Sequence, residues 1–145
     1  MLLTLPDLAA TEGFAATIAS VVRLGDAILL AGPLGAGKTA FARAFLRAAA
    51  EDPALDVPSP SFTLVQTYDT RRGKVHHFDL WRLDGPSALA ELGWDDARED
   101  IVLVEWPDRL GTLTPSDALR LEFELADRDA RTVRVEGWSG RLAHP

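Results

Sequence analysis

Apolar and polar positions along the chain separate into two periodicities, and their alternation sets the fold expected. From Asp7, which is suited to an N-cap, Ala10, Phe14, Ile18 and Val21 recur at helical spacing, with Gly25 as the stop signal. This predicts one amphipathic helix packed on a sheet. Ala27–Ala31 (AILLA) is a short uninterrupted apolar run, the pattern of a parallel strand buried on both faces. A glycine-rich turn follows. Thr39–Ala50 then carries strong helix formers, with Phe41, Phe45 and Ala48 on one face and Arg43 and Arg47 on another.

Three prolines in Asp52–Ser61 exclude regular structure and predict a surface loop. Phe62–Asp69 and Lys74–Leu80 are β-rich runs joined by TRRG, which predicts an antiparallel hairpin inserted into the α/β pattern. Ser87–Leu92 reads as a short helix and Ile101–Glu105 (IVLVE) as another buried strand. Leu119–Leu125 with Thr132–Glu136 reads as a second hairpin. The expected fold is α/β and P-loop NTPase-like: three layers, a mixed central sheet and an inserted β-hairpin. No linker or repeat interrupts the 145 residues, so a single domain over 1–145 is expected.

Composition narrows the function classes. Fifteen basic residues against twenty-two acidic ones give a net charge of −7, which opposes autonomous binding to nucleic acid. Arg71, Arg72 and Lys74 form the densest basic cluster, best read as a solvated hairpin turn. The absence of cysteine removes disulfides, thiolate metal sites and a cysteine nucleophile. No apolar run reaches the ~18 to 20 residues of a membrane span, and the N-terminus has no signal-like basic flank, so no membrane role and a cytoplasmic location are expected.

The turn after AILLA carries the chemistry. Gly32-Pro33-Leu34-Gly35-Ala36-Gly37-Lys38-Thr39 matches GxxxxGK[ST] in its confirming context, between a buried strand and a helix. Such a loop curls backbone N–H groups around phosphate oxygens, and the helix that follows adds its positive dipole end. Gly32, Leu34, Gly35, Ala36, Gly37, Lys38, Thr39 and Ala40 are therefore the candidate nucleotide contacts. Lys38 reaches toward the β- and γ-phosphates, and Thr39 is placed as a ligand to Mg²⁺.

A phosphate loop of this kind needs a carboxylate near its metal. Glu105 ends IVLVE and is delivered to the carboxyl edge of the sheet, where ligands bind in open α/β folds. Asp79 ends VHHFD and is the candidate to orient the attacking water, accept its proton through water, or support the metal's outer shell. It also suits a structural cap of the turn before Trp81. Arg82 is expected to ion-pair with Asp79 or Asp84. His76 and His77 are adjacent in a strand and face opposite sides, so they do not share a metal. Trp106 either flanks a base or partner or packs in the core. Ser61 and Thr63, in the hydroxyl-rich run Pro58–Thr63, are candidates for a switch-like sensor of the γ-phosphate, with a rigid surface turn as the other reading.

From about Pro6 to Glu136 the chain resembles the TsaE (YjeE) family of bacterial P-loop ATPases. The matching pieces are GPLGAGKT, SPSFTLVQTY (Ser59–Tyr68), HFDLWRL (His77–Leu83), ELGWDD (Glu91–Asp96) and LVEWPDRL (Leu103–Leu110). The resemblance implies ATP as the nucleotide, Lys38 in the phosphate loop, Thr39 and Glu105 on magnesium, Asp79 important for hydrolysis and a switch-like SPSFT segment. It further implies work with TsaB-like and TsaD-like proteins in threonylcarbamoyladenosine modification of tRNAs reading ANN codons. The tRNA is then met only through that complex. Three positions depart from the family pattern: Ala40 stands where many members carry a second hydroxyl, and Pro33 and Trp81 replace commoner polar and tyrosine residues. Two other readings of a phosphate loop stay open at this level, a small-molecule kinase and a nonhydrolysing regulatory binder.

Overall fold

The computed structural model describes residues 1–142. Among these, seven strands form one mixed sheet: β1 (Leu2–Leu5), β2 (Ala27–Ala31), β3 (Val65–Thr70), β4 (Gly73–Asp79), β5 (Ile101–Glu105), β6 (Leu119–Leu125) and β7 (Arg131–Glu136), in the order β1-β7-β6-β2-β5-β4-β3. The apolar run β2 lies at the centre, parallel to β5 on one side and β6 on the other, and every residue of β2 and β5 is buried. β4 is parallel to β5, whereas β3, β7 and β1 join antiparallel.

Period-two alternation divides the sheet's side chains between two cores. One face carries Ile28, Leu30, Val75, Ile101, Leu103, Leu121 and Phe123, packed beneath the helices α1 (Leu8–Val21) and α2 (Lys38–Ala50). The other carries Leu29, Phe78, Val102 and Val104 against Leu89, Trp94 and Leu110, which come from 3₁₀ turns over Pro86–Leu92 and Pro107–Leu113 and from the short helix α3 (Trp94–Ala97). Helices, sheet and turns make the three layers of the expected α/β fold. Phe41 of α2 anchors the first core, its ring 5.7 Å from both Phe14 and Phe123, and burial of such a ring contributes roughly 1.5–3 kcal/mol.

Asp7 caps α1 as its residue type suggests, accepting from the Ala10 N–H at 2.9 Å. The helix ends at Val21, the last of its periodic apolar positions, and a separate turn follows in which the Asp26 carboxylate accepts from the Arg23 N–H at 2.6 Å before β2 begins. β1 was not legible in the periodicity: four residues at a sheet edge before a proline carry too little pattern. β3 starts at Val65 rather than Phe62, since the Leu64 N–H returns to the Pro60 carbonyl at 2.7 Å with Leu64 at φ 68°. The segment expected as a helix over Ser87–Leu92 is a 3₁₀ helix. No described helix is long and apolar enough to cross a membrane.

Candidate functional site

Because β2, β5 and β4 are parallel neighbours, their carboxyl ends open on the same edge, and the turn after β2 lies between them and β6. Gly32 leaves β2 at φ +132°, and a Cβ there would stand 2.3 Å from the Phe123 carbonyl oxygen of β6. Only glycine permits that approach. Gly35 and Gly37 also hold positive φ, at 79° and 109°, so the loop turns its backbone inward before α2 begins at Lys38.

Lys38 is buried, with 4% of its surface exposed. Its ammonium donates to the Gly32 carbonyl and lies 3.5 Å above the centre of the Trp106 ring. Burial pushes its pKa below the ordinary lysine value, an effect opposed by the negative charges of Glu105, Asp79 and Asp108. The Thr39 hydroxyl donates to Glu105 Oε1 at 3.4 Å, and Glu105 Oε2 lies 2.8 Å from His77 Nε2. Asp79 stands on the rung of β4 that pairs with Glu105, so the two carboxylates end neighbouring strands at the same height. Asp79 Oδ1 accepts from the Trp81 N–H at 3.0 Å, as the structural reading of this residue has it, while Asp79 also lines the cleft.

These groups border a cleft of about 350 Å³ lined by Leu34, Gly35, Gly37, Lys38, Thr39, Ala40, Ser61, Asp79 and Glu105, all candidates from the sequence. Ser59, Trp106 and Arg131 complete the lining. Ser59 and Ser61 share a hydroxyl hydrogen bond of 2.7 Å, and Arg131 donates to the Gly35 carbonyl at 3.3 Å. Arg131 carried no sequence signal, since nothing along β7 announces that its first residue crosses to the loop after β2. Of the remaining candidates, Gly32 contributes its carbonyl to Lys38, and Ala36 is fully buried in the core. Thr63 stands outside the cleft lining, its hydroxyl accepting from Gln66 at 3.3 Å.

One expectation beside the cleft needs revision, and two others gain detail. Arg82 forms no ion pair with Asp79 or Asp84 among the described residues; its guanidinium sits 4.6 Å from the centre of the Phe62 ring, a face left available by the 82% exposure of Phe62. Trp106 meets both readings of it, packing partly buried against the second core and lining the cleft; it holds a left-handed backbone at φ 60°, ψ 56°, and its ring lies tilted against that of Trp81 with centroids 4.4 Å apart. In the basic hairpin, at the end of β4 away from the cleft, Arg71, Arg72 and Lys74 are exposed as a solvated turn, and the Arg72 guanidinium also donates to the Ser20 carbonyl at 2.6 Å.

The sequence profile described as "Threonylcarbamoyl adenosine biosynthesis protein TsaE" matches residues 5–133, which takes in the glycine-rich loop after β2, Asp79, Glu105 and Arg131. The chain belongs to the TsaE family. Relatives named as tRNA threonylcarbamoyladenosine biosynthesis protein TsaE include one from Aquifex aeolicus, 38% identical over 125 residues, and one from Rickettsia bellii, 32% identical over 126; each alignment covers 86% of this chain and 87% of the relative. The fold matches the crystal structure of Bacillus subtilis YdiB with a TM-score of 0.75 at 24% identity, over 98% of this chain and 88% of that one. TsaE membership agrees with the α/β architecture found here, and the likeness to YdiB bears on the fold alone.

Proposed function

We propose that this TsaE-family chain binds ATP with Mg²⁺ and hydrolyses it slowly to ADP and phosphate, supporting turnover of a TsaB-like and TsaD-like complex that modifies tRNA in the cytoplasm. One nucleotide-binding domain suffices for that role. The observation carrying the reading is the convergence of Lys38, Thr39, Asp79 and Glu105 on one cleft at the carboxyl edge of β2, β4 and β5.

The donor set fits magnesium: a hydroxyl and a carboxylate are hard oxygen ligands, and so small a set suits an ion that keeps several waters. Thr39 and Glu105 would hold it. Bound there, the ion supplies positive charge to the β- and γ-phosphate oxygens. The loop N–H groups and Lys38 bind and orient the phosphates. Lys38 then exchanges the Gly32 carbonyl and the Trp106 face for phosphate oxygen. Asp79 commits Oδ1 to the Trp81 N–H, which leaves Oδ2 to position water for in-line attack on the γ-phosphorus; as the new P–O bond forms, the bond to the β,γ-bridging oxygen breaks, the water's proton passes through water to solvent, and ADP leaves. Ser61, with Ser59 beside it, lines the cleft and would respond to the γ-phosphate; Thr63 would follow only through the loop. Net negative charge suits a chain that meets tRNA only through its partners.

The test is phosphate release from ATP with and without Mg²⁺, alone and with TsaB-like and TsaD-like proteins and tRNA, for wild type and Asp79→Ala. Release that requires Mg²⁺ and Asp79 and changes with the partners supports the proposal. Binding without release in every condition would replace it with a regulatory nucleotide binder, and ATP consumption matched by a phosphorylated acceptor would replace it with a kinase.

A further inference from the structure

His77 has no role in the account above, yet it is among the most enclosed polar side chains beside the cleft, with 1% of its side chain exposed. It pairs across the β4–β5 ladder with Leu103, two residues before Glu105, so His77, Asp79 and Glu105 all project from the sheet face that carries the phosphate loop and α2. Its Nε2 lies 2.8 Å from Glu105 Oε2, while its Nδ1 is buried with no hydrogen-bond partner. That asymmetry identifies the tautomer. A proton on Nδ1 would leave a buried donor unsatisfied and turn the Nε2 lone pair toward a carboxylate; a proton on Nε2 is donated to Glu105 and leaves only the Nδ1 lone pair without a partner, the smaller cost of the two.

We infer that His77 is a positioning residue for Glu105: its Nε2–H holds Oε2, fixing the carboxylate plane so that Oε1 alone faces Thr39 and the metal. The inference rests on the reading of Glu105 as a magnesium ligand. Glu105 is itself nearly enclosed, with 4% of its side chain exposed, and without the histidine proton Oε2 would be a buried acceptor free to rotate away from the cleft or to compete with Oε1. Outer partners of this kind orient metal ligands and set metal affinity without touching the metal.

The experiment is a magnesium titration of the binding of a fluorescent ATP analogue, paired with the same binding in EDTA, for wild type, Glu105→Ala, His77→Leu and His77→Gln. Leucine fills much of the pocket but donates nothing, whereas the glutamine amide nitrogen reaches close to the position of Nε2. His77→Leu is expected to raise the half-saturating Mg²⁺ concentration about tenfold. Its metal-free binding stays near that of wild type, and His77→Gln recovers most of the loss. An unchanged titration in His77→Leu overturns the inference. So does an equal loss of metal-free binding, which would mean that His77 supports the pocket as a whole, or a His77→Gln variant no better than leucine. If Glu105→Ala shifts the titration and His77→Leu does not, only the positioning role fails; if Glu105→Ala is itself silent, the metal reading fails with it. His77→Asn, which stays polar but ends short of Glu105, carries the same expectation as leucine where leucine prevents folding.

Discussion

Lys38 and Asp79 both border the cleft, and their surroundings separate the roles proposed for them. Lys38 is a buried cation whose present partners are a carbonyl and a ring face, weaker acceptors than phosphate oxygen. Lys38→Ala is expected to weaken ATP binding by about ten- to a hundredfold, the worth of a hydrogen bond to a charged group. Asp79→Ala should leave binding close to wild type and lower hydrolysis by about 10²–10⁴. Isothermal titration beside a phosphate-release assay distinguishes them, and equal loss of binding in both variants would dissolve the distinction. The lowered pKa of Lys38 adds a pH signature. Phosphates favour the ammonium form, so nucleotide binding takes up a proton once pH exceeds the free protein's lysine pKa, and affinity falls there, below the alkaline limit of an ordinary lysine. In Lys38→Arg, whose guanidinium stays charged, that alkaline fall is expected to disappear from an ATP-affinity profile taken from neutral pH upward.

At the scale of elements, the central pieces were legible because each is a local pattern. β2 and β5 are unbroken apolar runs, the loop between β2 and α2 is a spaced glycine motif, and α1 and α2 carry apolar side chains at helical spacing. What escaped are relations between elements. The bond from His77 to Glu105 depends on the parallel register of β4 with β5, and the seat of Lys38 on Trp106 depends on where the chain turns after β5. Arg131 meets Gly35 only because the hairpin β6–β7 packs beside β2. None of these leaves a periodic trace. Gly32 shows the same coupling from the energetic side, since its conformation is imposed by β6. Gly32→Ala combines a left-handed backbone, costing ~1–3 kcal/mol, with a contact of 2.3 Å against a backbone oxygen. Its melting temperature should drop by about 10 °C or more in calorimetry. A drop within about 2 °C would show that the loop relaxes without effort.

For the whole molecule, the decisive feature is the strand order β1-β7-β6-β2-β5-β4-β3, in which the first strand pairs with the last and the second lies between the fifth and sixth. Its consequence is temporal. A chain emerging in order of synthesis displays its phosphate-loop sequence early, but neither strand that flanks β2 exists until residues 101–105 and 119–125 have followed. The backbone contact between Met1 and Val135 spans 134 positions. Loop closures of that length precede any gain in contacts, which slows folding. Nucleotide binding should therefore return late in refolding, after most helical signal, when stopped-flow circular dichroism is compared with binding of a fluorescent ATP analogue. Recovery of both in one early phase would mean that the phosphate loop closes without its flanking strands. On the ribosome the same order means that the cleft proposed to hold the nucleotide is not finished until residues 119–125 have been made and have left the exit tunnel.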